Sequence, residues 1–274
     1  MSGTQWGTLG VPRDSSLAKL QRLVETDVAT VRHGYYERGA IVPIHRHDHA
    51  SLVYGVGGPC FEFNTPAPLV RRRLTLLPEG HEHALEFMGA THVLAIEIAP
   101  AWLRRTCGDH TPAEVFPLPA TLYNTVWTTI MGIVSRASAS AVGASLQALV
   151  EAALNHARMP PPSVALALID ELHVHWKDVP SVARLAQKYS LSTQYVCRVF
   201  KKATGVALQE YGLMLRLDHA RELLSGSDLP IAAVAAEAGF SDQSHLTRAL
   251  VAHSATTPLR LRWATRCLKI PPEV

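Results

Sequence analysis

Residues 182–205 read VARLAQKYSLSTQYVCRVFKKATG, and residues 231–250 read IAAVAAEAGFSDQSHLTRAL. At an offset of 49, Val182, Leu185, Ala186, Ser190, Leu191 and Ser192 match Ile231, Val234, Ala235, Gly239, Phe240 and Ser241. Beyond that point the offset is 50: Arg198 matches Arg248, Phe200 matches Leu250, and Gly205 matches Ala255. One residue is therefore inserted at the start of the second copy's second helix. Each copy reads as a short helix, a tight turn and a longer helix. Ala186 and Ala235 are small, as a close helix crossing demands. Ser190 and Gly239 fall at the turn, where a residue tolerant of positive φ is favoured. Ser192 and Ser241 are suited to cap the second helix.

The apolar spacing then assigns faces. Val196, Val199, Phe200 and Ala203 recur at i, i+3, i+4 and i+7, which makes one buried stripe. Leu246, Ala249 and Leu250 do the same in the second copy. What is left outside is polar: Ser192, Thr193, Gln194, Tyr195, Arg198 and Lys201 in one copy, and Ser241, Asp242, Gln243, Ser244, His245 and Arg248 in the other. Arg suits guanine and Gln suits adenine, while hydroxyls and Lys suit phosphates. Between the copies, Leu213, Leu217, Ala220 and Leu224 predict a helix over residues 207–224. Such a rod spans on the order of 27 Å. It would hold two reading helices about one DNA turn, roughly 34 Å, apart.

Charge agrees with this division. The chain has 274 residues and a formal net charge of +3. Residues 1–163 hold 13 Lys/Arg and 13 Asp/Glu, whereas residues 181–269 hold 12 against 6, a net +6. Histidine is skewed the other way, with 9 of 14 before residue 164. Hydrophobic residues at 47% and charged residues at 18% exclude a mainly disordered chain.

The segment from Pro180 to Arg262 resembles the DNA-binding domain of the AraC/XylS family of bacterial transcription regulators. The stretches that carry the likeness are the two copies above, YGLMLRLDHARELL between them, and TPLRLR after them. The resemblance implies seven helices, contact with promoter DNA through the two second helices, and RNA polymerase as a partner. It also implies a cytoplasmic regulator, expected to be an activator and not an enzyme. Leu208 stands where the family usually has Pro, Leu246 and Leu250 where it has Phe, and Ala255 where it has Gly.

The histidine-rich half carries a second likeness. Gly39-AIVPI-His45-Arg-His47 and Pro78-Glu-Gly80-His81-Glu-His83 resemble the two motifs of the cupin barrel. Short β-type stretches at Ala50–Val56, Leu69–Leu77 and His92–Ile98, punctuated by Gly and Pro, suit a sandwich or small barrel. Two alternate residues on a strand point to one face. His45 and His47, completed by His83, would supply three imidazoles for a divalent metal. The other reading is that they are vestiges of a cupin ancestor, lining a pocket for an organic effector or turned to solvent. Cupin enzymes add a Glu three or four residues after the second His, and here Ala50 and Ser51 stand there. A metal-dependent cupin enzyme with an accessory helical domain is the alternative reading of the chain. An inward Arg among Arg71–Arg73 would suit a carboxylate effector.

Residues 120–157 read as two amphipathic helices broken near Ser138–Gly143, with a face suited to pairing two copies or to packing against the chain's own barrel. Pro160–Pro162 marks a stiff spacer. The expected fold is α+β: a cupin-like sensing barrel over residues 1–115, a helical dimerisation and linker region over 116–163, and a DNA-binding domain with two helix-turn-helix units over 164–268. No stretch of about 18 apolar residues predicts a membrane span. Cys60, Cys107, Cys197 and Cys267 lie far apart, as free thiols of a reducing cytoplasm do.

Overall fold

The computed structural model describes residues 20–57, 60–63, 74–108, 116–158 and 162–269. Strands come first: β1 (Gln21–Glu25), β2 (Ala29–Tyr36), β3 (Ile41–Arg46), β4 (Ser51–Gly57), β5 (Cys60–Phe63), β6 (Thr75–Leu77), β7 (Glu82–Phe87), β8 (Thr91–Ile98) and, after helix α1 (Pro100–Cys107), β9 (Phe116–Pro117). Among the described residues they form two antiparallel sheets, β1-β2-β8-β4-β6-β9 and β3-β7-β5. The single barrel expected from the sequence takes this two-sheet form. Of the strand expected over Leu69–Leu77, Thr75–Leu77 forms β6, and residues 69–73 lie outside the described residues. Arg71–Arg73 lie outside the described residues, as does most of the 160–162 spacer.

Alternation along the large sheet gives its two faces different work. Leu52, Tyr54 and Val56 on β4 stand beside Ile96, Leu94 and His92 on β8, and all are buried. One core runs from this face through helices α2 (Tyr123–Val134) and α3 (Ala139–Arg158) into the C-terminal half. The other face meets the small sheet, where Tyr36 stacks on Phe87 with ring centroids 4.3 Å apart. The break between α2 and α3 falls at residues 135–138, slightly before the Ser138–Gly143 position that the spacing predicts.

Seven helices follow, matching the number that the family resemblance implies: α4 (Ser163–Val174), α5 (Val182–Lys188), α6 (Thr193–Thr204), α7 (Leu208–Gly226), α8 (Ile231–Glu237), α9 (Gln243–Ser254) and α10 (Pro258–Lys269). The rod α7 is buried on nearly every side, including Tyr211, Asp218, Arg221 and Leu224. It packs on β4 as well as on α8 and α10, so it joins the two halves. Among the described residues no helix is long and apolar enough to cross a membrane. Cys60, Cys107 and Cys197 are free thiols.

Candidate nucleic-acid interface and histidine cluster

The two repeats fold as two helix-turn-helix units, α5–α6 and α8–α9. Both turns have the left-handed residue that the sequence placed there: Ser190 at φ 54° and Gly239 at φ 76°. Ser192 caps α6, its side chain accepting from the Tyr195 amide at 3.2 Å. In the second unit the cap is not Ser241 but Asp242, which accepts from the His245 amide at 2.7 Å. The inserted residue is the reason. It moves the start of α9 one position along and leaves the Ser241 hydroxyl donating to Asp242 at 3.1 Å. Those bonds, the His245 amide foremost, hold the Asp242 carboxyl below its usual range.

Both first turns face solvent. Ser192, Thr193, Gln194, Tyr195, Arg198 and Lys201 are exposed, and so are Ser241, Asp242, Gln243, Ser244 and Arg248. His245 is half-buried, edge-on to Phe240. The Arg198 guanidinium lies 5.5 Å over the Tyr195 ring, one turn earlier, so the cation is aimed along the helix face. The stripes behind are buried: Val196, Val199 and Phe200 under α6, and Leu246, Ala249 and Leu250 under α9.

The second cluster lies on the small sheet. Its order places β7 between β3 and β5, so His83 has His45 on one side and Glu62 on the other. His45, His47, His83 and Glu62 are all buried. His83 Nε2 lies 3.0 Å from His45 Nε2 and 3.2 Å from His47 Nε2. The Gly80 amide donates to the His47 carbonyl at 2.8 Å, and the His47 amide to the His81 carbonyl at 3.1 Å, which ties the two motifs together. His49 precedes β4 and takes no part.

Hydrogen-bond roles fix the tautomers. His45 Nδ1 is 3.0 Å from the Pro43 carbonyl, which only accepts, so Nδ1 carries the proton. His83 Nδ1 is 2.9 Å from Glu62 Oε1, and the same oxygen accepts from His81 Nε2 at 2.7 Å. Burial opposes the Glu62 charge, but these two hydrogen bonds outweigh it and hold the carboxyl down at about 2. Burial lowers His45 and pushes His47 down to about 3. With the Nδ1 atoms of His45 and His83 engaged by the Pro43 carbonyl and by Glu62, the Nε2 atoms of the two rings are turned toward each other. Two nitrogens at that distance need a proton or a metal cation between them. Nitrogens bound at about 2.0–2.1 Å around a tetrahedral ion lie roughly 3.3 Å apart, so the set fits a first-row divalent cation.

A third group of polar residues was not legible as a site. Tyr54 on β4 donates to Asp218 on α7 and accepts from Trp127 Nε1 on α2 at 3.0 Å. Arg221, one turn along α7, donates to Asn124 on α2 at 2.5 Å and to Ser254 at the end of α9. The Tyr211 hydroxyl accepts from the Ala120 amide at 3.2 Å. Asp218 and Arg221 lie on the face of α7 that touches the strand-rich half, and nothing local distinguishes them from solvated charges.

Residues 185–263 match the family model described as a helix-turn-helix domain. This segment is thus a helix-turn-helix domain of the type that the paired repeat resembles. The chain is 36% identical over 80 residues to the HTH-type transcriptional activator RhaS of Escherichia coli, covering 29% of each protein. It is 33% identical over 101 residues to the HTH-type transcriptional regulator RipA of Corynebacterium diphtheriae, covering 37% of this chain and 30% of RipA. The matches span about a third of these relatives or less. Among solved structures, a transcriptional regulator with an AraC-type DNA-binding domain from Chromobacterium violaceum is 26% identical, with a TM-score of 0.35, over 39% of this chain and 94% of that one. ToxT from Vibrio cholerae is 10% identical, with a TM-score of 0.38, over 88% of this chain and 99% of that one.

Proposed function

We propose that the chain is a ligand-responsive transcription regulator that binds promoter DNA through α6 and α9. The observation that carries this reading is the pair of capped helices, both with exposed polar first turns, on one net basic unit. Thr193, Gln194, Arg198, Gln243, Ser244 and Arg248 are the base and phosphate contacts, with Ser192, Tyr195, Lys201, Ser241 and His245 beside them. Asp242 serves the helix cap. The strand-rich part, 1–115, is the cupin-like sensor. Part 116–163, whose apolar face is buried in the chain's own core, links the two, and part 164–268 reads DNA in the cytoplasm. RhaS is named an activator; the same sign of control, through RNA polymerase, is the expectation here.

The test starts from genomic fragments retained by the purified full chain. Arg198→Ala should weaken binding to such a fragment by about 1–3 kcal/mol if Arg198 reads a base. Unchanged affinity removes Arg198 from the reading set. Affinity should also fall steeply as salt is raised, because neutralised phosphates release counterions. A salt-independent affinity sinks the DNA-binding reading.

The three converging Nε2 atoms favour a specific sensor chemistry. His45, His47 and His83 would hold a divalent cation, which supplies a Lewis-acidic centre when bound. The three imidazoles bind it, and burial of the set excludes bulk water. Ala50 and Ser51 offer no carboxylate as a fourth ligand, so the reading is sensing and not turnover.

A further inference from the structure

We propose that Glu62 is the positioning residue of this cation site, holding His83 as an Nε2 ligand and so reserving the site for first-row divalent ions such as zinc. The proposal rests on the reading of His45, His47 and His83 as a cation site. It adds a residue that neither histidine motif contains.

Position is the first argument. Glu62 is on β5, diagonal to His83 across the ladder in which Glu62 faces Leu85. A diagonal neighbour is within reach of a long side chain. The Glu62 side chain is 1% exposed, so its charge is kept only because protein groups satisfy it. His81 and His83 are among the groups that do so, both through Oε1.

Chemistry is the second. An imidazole binds a metal through one nitrogen, and a hydrogen bond to the other decides which. Without an acceptor beside Nδ1, His83 would be free to turn its protonated nitrogen toward His45 and satisfy that lone pair by hydrogen bonding. Glu62 forbids this. The negative charge behind the ring also makes Nε2 a stronger donor to a cation. Pro43 performs the same task for His45 with a backbone carbonyl. Calcium and magnesium demand oxygen ligands, and here the three converging donors are imidazole nitrogens.

The experiment uses the full chain, stripped with a chelator and titrated with zinc against a chelating dye. Cobalt(II) absorption reports the ligand geometry. The wild type should bind one equivalent, and His45→Ala/His47→Ala should lose it. Glu62→Gln should bind roughly 10–100-fold more weakly with an altered cobalt spectrum, and Glu62→Asp should recover part of the loss. If Glu62→Gln fails to fold by circular dichroism, Glu62→Asp alone decides, with weaker binding expected. Wild-type affinity and spectrum in the folded Glu62 variants would overturn the role of Glu62 and leave the cation site standing. Absence of stoichiometric zinc in the wild type, or its retention in the double histidine variant, would overturn both.

Discussion

Ala255 shows how one side chain carries a cost that its repeat partner avoids. It closes α9 at φ 48°, where Gly205 closes α6 at φ 81°. A Cβ in the left-handed region costs roughly 1–2 kcal/mol, and Gly does not incur it. Ala255→Gly should therefore stabilise the chain by about 1 kcal/mol, part of the gain being returned as unfolded-state entropy. Chemical denaturation checks this; a lower midpoint would contradict it. His33 gives a second case. Burial lowers it to about 4, and its Nε2 lies 2.9 Å from His92 Nδ1. The unfolded chain takes up this proton near pH 6.5, whereas the folded chain resists it down to about 4. Stability contributed by neutral His33 is thus complete above pH 6.5 and is lost as pH falls toward 4, by at most about 1.4 kcal/mol per pH unit. His33→Gln should flatten the stability profile in that window. An unchanged slope would assign the acid sensitivity elsewhere.

Helices are where the chain is most legible, because the signals that start and stop them are local. Turn residues, caps and 3.6-residue stripes located the two turns, the start of α6 and the buried faces of α6 and α9, and the slip in the second cap, Ser241 for Asp242, came from a single inserted position. The element that local reading described least well is α7. Its apolar spacing predicts one buried stripe, but neighbours cover it almost all round. Gly212 marks how close they come. A Cβ there would lie 2.6 Å from Val179 Cγ2, in the segment leading into α5. Helix propensity alone makes Gly212→Ala favourable by about 1 kcal/mol. Overpacking against a stiff β-branched side chain costs about 1–3 kcal/mol and should win. The variant is expected to be destabilised, and Val179→Ala should restore most of the loss in the double mutant. Additive effects in that cycle would show that the two residues do not collide. The histidine cluster was half legible for a related reason. The alternation of His45 with His47 and the step from His81 to His83 show in the sequence, whereas Glu62 joins them only through sheet order.

At the scale of the molecule, the question is why the strand-rich half and the helix-turn-helix half share one core. Apolar burial is continuous from the large sheet through α2 into α7. Within it lies a polar seam whose partners are far apart in sequence, 164 residues for Tyr54 and Asp218 and 97 for Asn124 and Arg221. Pairings of that separation leave no periodic trace, so the docking could not be read from the chain. Arg221 is fully buried and its charge is disfavoured by burial, with Tyr54 and Asp218 opposing that effect. Its bonds to Asn124 and Ser254 connect a helix of the strand-rich half to the last turn of α9. A halfway-separated molecule would expose the apolar core and leave these groups to be rehydrated, so the two halves should unfold together. Calorimetry of the full chain is expected to give one transition. Arg221→Met keeps the bulk but removes the hydrogen bonds to Asn124 and Ser254 and the charge near Tyr54 and Asp218, which should cost about 1–3 kcal/mol. The loss should fall on the seam and divide the single transition into two. Two transitions already present in the wild type would mean that the seam does not couple the halves.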